Sequence, residues 1–461
     1  MYSSPRTPFV LYQVQWWSGC RGLVERSYGS VRLRAACANN QRQNGFYSVW
    51  TQAMMPNPHL PQEILEYIVD LLHDEPETLE RCCLVSKSCV PRTRKHLFTN
   101  IYFCSADDLE SWKKTFPDVV NSPACHARTL FVGCPQVVVA ADAEEGGWIQ
   151  AFSGVTSLDV DNGDQYLRAS EVPLTPFHKF SSTLRSLRVC PITLPHPQLF
   201  DLIRSFPLLE DLNLKGRDHL LYSGNDTRGP KTVPLSDSPS FTGSLDLNVL
   251  GGSGYIIRQL LGFPNGLHFR KLAFSWDRKE DLRWVTELVA RCSHTLESLD
   301  LRHDFRRTSI RIRVYTHDLI LFLVRPEVAS FNLSKATKLR DAVFRPESEN
   351  IEWITATLQT ITPEHRELRQ ISIYMPYYLS RYRVGVNIRQ SVGGAAFGRW
   401  LDLDRLLVQF WESHSIRPRV GCVRLGEEGR SIEYCIGCLL PEITKRGVVD
   451  PVSGASIHPV Q

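Results

Sequence analysis

Residues 209–214 read LEDLNL, and the L-x-x-L-x-L spacing of those positions returns along most of the chain. Clear copies are LRSLRV (184–189), FRKLAF (269–274), LESLDL (296–301) and LRQISI (368–373). VTSLDV (155–160) and LRDAVF (339–344) are weaker, and TGSLDL (242–247) and LDRLLV (403–408) weaker again. Aligned on the fourth position, they make Leu158, Leu187, Leu212, Leu245, Leu272, Leu299, Ala342, Ile371 and Leu406 equivalent, at steps of 29, 25, 33, 27, 27, 43, 29 and 35 residues. Each step has room for a strand, a turn and a returning helix, and amphipathic stretches fill the gaps at 197–207, 280–292 and 350–361. No unit of this size buries its own apolar face, so neighbours must stack into one continuous core. The pattern predicts an α/β solenoid of irregular repeats over residues 104–446. Side chains between the leucines then leave the core on the opposite face. These are Ser157 and Asp159, Ser186 and Arg188, Asp211 and Asn213, Ser298 and Asp300, and Gln370 and Ser372.

Ahead of the array stands HLPQEILEYIVDLLHDEPETLERCCLVSKSCVPRTRKHLFTNIYF (59–103), which reads as three short helices. Leu60, Ile64, Ile68 and Leu71 share one face of the first, with Leu65, Val69 and Leu72 beside them. Pro61 suits a first helical turn, and Glu63 complements the positive helix N-terminus. Asp74 and Glu75 before Pro76 mark a stop and restart, and Leu79, Cys82, Cys83 and Leu84 carry the second helix. The third spans Ser88 to Phe98, with Pro91 in its first turn. A unit of about 45 residues cannot hide all its apolar surface, so the surplus stripe is either aggregation-prone or an interface.

Composition bounds the rest. The 461 residues are 43% hydrophobic and 22% charged, which suits a globular chain of two units or one long array. A net charge of +4 without a sustained basic run argues against nucleic acid. No run of about 18 apolar residues is present to span a membrane. The 13 scattered cysteines suit free thiols in a reducing compartment, cytoplasm or nucleus, better than a disulfide framework. Residues 1–58 hold Arg6, Arg21, Arg26, Arg32, Arg34 and Arg42 against one acid, Glu25. That balance is the composition of a transit peptide, but FVLYQVQWW alternates like a strand, so a disordered extension is expected. Met54 and Met55 leave a shorter natural start open. Residues 217–243 read as a long surface loop and 447–461 as a flexible tail.

The 59–103 unit resembles an F-box, in the style of mushroom-type fungal F-box proteins. The resemblance rests on Leu60-Pro61-x-Glu63-Ile64, the LxxCCLVSK second helix and the RKHLF close, in that order and spacing. The family's frequent tryptophan in the third helix is absent, where Cys89 and Val90 stand instead. The resemblance implies docking on the Skp-type adaptor, and through it a cullin, of a Skp–cullin–F-box ubiquitin ligase. Helix-in-groove docking would use Leu60, Pro61, Ile64, Leu65, Leu84 and Val85, each of which could instead serve the unit's own core. The array resembles the leucine-rich-repeat class of these proteins, without the strict repeat's asparagine. It would then bind an unknown target through a face including Ser186, Arg188, Asp211, Asn213, Ser298 and Asp300. The competing expectation is a repeat scaffold with no ligase attached.

Catalytic signals are weak, and neither an enzyme nor a cofactor is expected. Gly224-x4-Gly229-Pro230-Lys231-Thr232 approaches a phosphate loop, but the proline removes an N–H and parts glycine from lysine. GGSGY (251–255) lacks the flanking glycine of a nucleophile elbow. Cys435 and Cys438, with Cys422 and His414, offer zinc-ligand types at spacings that fit no standard module, so buried thiols are expected. His96 and His178 stand without an arranged carboxylate pair in the sequence.

Overall fold

The computed structural model describes residues 60–119, 121–133, 135–136, 138–139, 148–161, 174–194, 197–218, 239–250, 252–276, 281–303, 330–346, 351–375, 387–416, 418–422, 429–447 and 450–451. They form two compact units that divide between Val155 and Thr156.

The first unit opens with helices α1 (Gln62–Leu71), α2 (Pro76–Val85) and α3 (Val90–Leu97). Prolines sit in the first turns of α2 and α3, where no intrahelical N–H bond is lost. Val69, Leu79 and Cys89 make a small core, with Leu72, Cys82 and Leu97 packed on it. Asp70 on α1 ties α3 in place, accepting from Arg92 Nε at 2.6 Å and pairing with His96 Nε2 at 2.7 Å. Strand β1 (Asn100–Phe103), helix α4 (Ala106–Thr115) and strand β2 (Thr129–Val132) follow, with β1 and β2 parallel. Ser105 and Asp108 close a reciprocal capping box at the start of α4. Phe103 sits edge-on to Trp112, Trp148 and Phe152 at 5.9, 5.7 and 6.1 Å. This aromatic cluster straddles residue 103, so the boundary expected there lies inside a compact unit that ends at Val155.

The second unit is an open α/β arrangement on a parallel sheet. Its strands are β3 (Ser157–Asp161), β4 (Ser186–Leu194), β5 (Asp211–Asp218), β6 (Ser244–Leu250), β7 (Lys271–Trp276), β8 (Ser298–His303), β9 (Asp341–Pro346), β10 (Gln370–Met375), β11 (Pro418–Cys422) and β12 (Asp450–Pro451). Each pairs in parallel with the next in chain order. The helices are α5 (Pro197–Arg204), α6 (Ser253–Leu261), α7 (Leu282–Cys292), α8 (Glu352–Leu358), α9 (Ile388–Val392), α10 (Gly394–His414), α11 (Gly429–Leu439) and α12 (Pro441–Lys445). Parallel neighbours need a crossover between them, which these helices and shorter turns supply.

The leucine alignment is a physical column. Leu158, Leu187, Leu212, Leu245, Leu272, Leu299, Ala342 and Ile371 stand side by side in register, all buried. One backbone device recurs at the strand starts: a single carbonyl accepts two successive N–H groups from the start of the next strand. Thr156 O serves Arg185 and Ser186, Arg185 O serves Glu210 and Asp211, and Arg270 O serves Glu297 and Ser298. Glu297 O serves Arg340 and Asp341, and Arg340 O serves Arg369 and Gln370.

The ninth marker is a correction. Leu406 lies inside α10, and the partner of Ile371 on the next strand is Pro418. Trp400, Leu403, Leu407 and Phe410 are spaced three and four residues apart and buried, a helical stripe that outweighs the local leucine spacing. Asp404 on the same helix is 1% exposed and caps α12, accepting from the N–H groups of Glu442 at 2.8 Å and Ile443 at 3.0 Å. Asp404→Ala strands both donors and is expected to cost about 2–3 kcal/mol, measured by denaturant unfolding.

GGSGY opens α6, and Gly254 is needed there because an added Cβ would meet Asp281 Oδ1 at 2.1 Å. β5 reaches Asp218, so strand takes the first residues of the expected loop. The tail's Asp450 and Pro451 pair with β11. Residues 1–58, the P-loop-like 224–232, most of the 217–243 loop and the last ten residues lie outside the described residues.

Candidate protein-docking surfaces

The first surface is the outer side of α1 with the end of α2. While Val69 faces inward at 1% exposure, Leu60, Ile64, Tyr67, Ile68 and Leu71 lie open. Leu84 and Val85 close α2 in the open too, Val85 at 84% exposure. Of the anchors read from sequence, Leu60, Pro61, Ile64, Leu84 and Val85 are exposed and Leu65 is half-buried. Tyr67, Ile68 and Leu71 extend the surface beyond those anchors. Ile68 and Leu71 continue the spacing of Leu60 and Ile64, while Tyr67 escapes a reading that tracks aliphatic residues. This much apolar area on one small helical unit exceeds what scattered surface leucines explain.

The second surface is the face of the parallel sheet opposite the leucine column. In its central row Asp159, Arg188, Asn213, Asp246, Ala273, Asp300, Val343 and Ser372 are successive register partners. Strand neighbours about 4.8 Å apart bring these side chains into contact, so they knit together instead of each standing in water. Arg188 donates to Asp159 at 2.9 Å, and Asn213 to Asp246 at 3.2 Å. Asp300 takes one oxygen to Arg302 at 2.9 Å and the other to Arg345 at 3.0 Å. Arg345 also lies 4.3 Å from the centre of the Tyr374 ring. Nearer the strand starts, Asp211 accepts from the N–H and hydroxyl of Ser244 at 2.7 and 2.5 Å. Ser157, Ser186, Ser298 and Gln370 are half-buried, and Ser372 is fully buried, accepting from Gln370 at 2.7 Å. Asp246, Lys215, Arg302 and Arg345 belong to this face and went unnamed in sequence; Asp246 occupies the same offset from its leucine as residues that were named, whereas Lys215, Arg302 and Arg345 lie just past the six-residue motif.

Burial sets the electrostatics. It pushes the Asp159 carboxyl up to about 6, against the pull of Arg188, and burial also raises Asp246. The folded value of Asp159 exceeds the 3.8 of an ordinary aspartate, so the folded chain holds that proton more tightly. Its contribution to stability therefore falls as pH rises from about 4 to about 6 and is level above. Asp159→Asn is expected to flatten that part of the stability profile, measured by guanidinium unfolding between those pH values.

The chemistry-bearing residues weighed in sequence take structural places. Buried Ser253 donates its hydroxyl to the carbonyls of Val249 at 3.0 Å and Ser275 at 2.7 Å. Cys435 is buried and Cys438 partly so, both on α11. His96 is held by Asp70, and burial lowers the pKa of His178. Among the described residues no group of histidine, cysteine and carboxylate side chains could hold a metal ion, and no helix is long and apolar enough to cross a membrane. The chain matches no protein-family model and no curated protein.

Proposed function

We propose that this chain is the substrate-receptor subunit of a Skp–cullin–F-box ubiquitin ligase, with α1–α3 as its F-box and β3–β12 as a leucine-rich-repeat-like receptor for a target protein. The observation that carries the reading is the row of exposed apolar side chains on α1 and α2, which calls for a partner groove. The F-box-like motifs of residues 60–98 supply the identity of that partner, a Skp-type adaptor linked to a cullin. The sheet supports the second half of the reading. Strands in strict chain order present one face that is polar except at Ala273 and Val343 along its central row, a geometry suited to gripping an extended protein segment. In this reading the chain contributes binding, not catalysis, needs no cofactor and works in the cytoplasm or nucleus.

The test is affinity capture of the tagged full chain from a fungal extract, followed by mass spectrometry. Recovery of a Skp-type adaptor together with a cullin is the expected result. Recovery of other proteins without either would leave a repeat scaffold free of any ligase.

A further inference from the structure

Hydrogen bonding on the polar sheet face is uneven. At β8 and β9 it is complete, since both oxygens of Asp300 have arginine donors. From β3 to β6 it is not. Asp159 Oδ1, Asn213 Oδ1 and Asp246 Oδ1 are enclosed by protein and accept no hydrogen bond, and Arg188 Nε donates none. These atoms belong to four successive register partners, so the deficit forms one line across four strands. An acceptor taken from water and left unpaired is costly, and three of them within four neighbouring strands mark a place where donors belong. The side chains nonetheless retain access, 18% for Asp159 and 23% for Arg188. Charge is mixed here: Arg188 and Lys215 pull on Asp159, and Arg302, Lys215 and Arg188 on Asp246, against burial that raises both carboxyls.

We propose that the β3–β6 stretch of this face binds an extended segment of a partner protein that carries two basic side chains four residues apart. The proposal rests on the receptor reading above and gives its target a chemistry. The spacing follows from geometry. Three interstrand gaps set Asp159 about 14 Å from Asp246, and an extended chain crossing the strands advances about 3.4 Å per residue with every second side chain on one side. Residues i and i+4 of such a segment reach the two carboxylates, while its backbone passes Asn213 and the free N–H of Arg188. A cation at each end also favours the ionised carboxylates, whose protons burial otherwise helps retain.

The probe is a fluorescein-labelled Gly-Ser decapeptide with arginine at its third and seventh positions, titrated with the full chain and read by fluorescence anisotropy. Its comparators carry citrulline at both positions, glutamate at both, or arginine at the third and sixth. The expected order places the i, i+4 arginine peptide at least about tenfold tighter than each comparator. Asp159→Asn and Asp246→Asn should each weaken it about tenfold. Ala273→Lys keeps every acceptor but adds a cation beside Asp246 and should compete with the peptide. Thermal melts confirm that each variant is folded. Equal binding of arginine and citrulline peptides, or indifference to Asp246→Asn, overturns the proposal. So does the absence of any binding, which would mean that ordered water alone fills the line. Adaptor capture by the same variants is measured in parallel, so loss of the peptide with adaptor retained sinks only this inference. Peptide binding without adaptor or cullin sinks only the ligase reading.

Discussion

Ile64→Glu combined with Leu84→Glu is expected to abolish capture of the Skp-type adaptor while the melting temperature stays within a degree or two of the parent. Both side chains are open to water in the free chain, so charging them disturbs no internal packing. In a docked state each would fill an apolar pocket, and burying such a side chain is worth about 1.5–3 kcal/mol. Losing two such contacts, and forcing two carboxylates out of water, is expected to weaken binding by more than about a hundredfold. The control is Glu77→Lys on the same helix, charged already and outside the apolar row, which should leave capture unchanged. Surface plasmon resonance against purified adaptor gives the number. Undiminished binding by the double variant would move the interface off α1 and α2.

Trp276→Ala should produce the largest loss of stability in the second unit, about 3–5 kcal/mol. The indole ends β7 at 5% exposure and joins parts of the chain far apart in sequence. It meets His303 on β8 at 5.4 Å, Phe331 at 5.5 Å and Trp353 on α8 at 5.1 Å. Its removal opens a cavity where β7, β8 and α8 meet. In a chain of nearest-neighbour interfaces such damage stays local at first. Hydrogen exchange should therefore quicken in β8–β10 well before β3–β5, and a denaturant curve should broaden or split. Uniform acceleration across all strands would show that the repeats unfold as one cooperative body.

How much of this was legible depends on which force shaped each element. The column from Leu158 to Ile371 could be read off directly, because strands buried on one face demand an apolar residue at a fixed offset. The outer side of α1 was equally visible, since Leu60, Ile64, Ile68 and Leu71 repeat with helical period. Leu406 misled, because six residues of leucine spacing also fit a helix and only Trp400 to Phe410 together reveal the longer period. The polar face was half legible. Alternation identified Asp159, Arg188, Asn213 and Asp300, but which acceptor meets which donor depends on the register between strands distant in sequence. Asp404 was invisible for the same reason: its two partners lie 38 and 39 residues away.

The carbonyl shared by two N–H groups at successive strand starts has a consequence for how this chain can vary. Register is fixed locally, at the first residues of each strand, and owes nothing to the length of the connection that precedes it. The interval from Leu299 to Ala342 is 43 residues and that from Leu187 to Leu212 is 25, yet each pair lies side by side in the same column. Segments between strands can therefore differ in length without shifting the column, provided the buried residues they carry, such as Phe331 and Trp353, keep their places. Length can vary at these connections while the leucine column keeps its register.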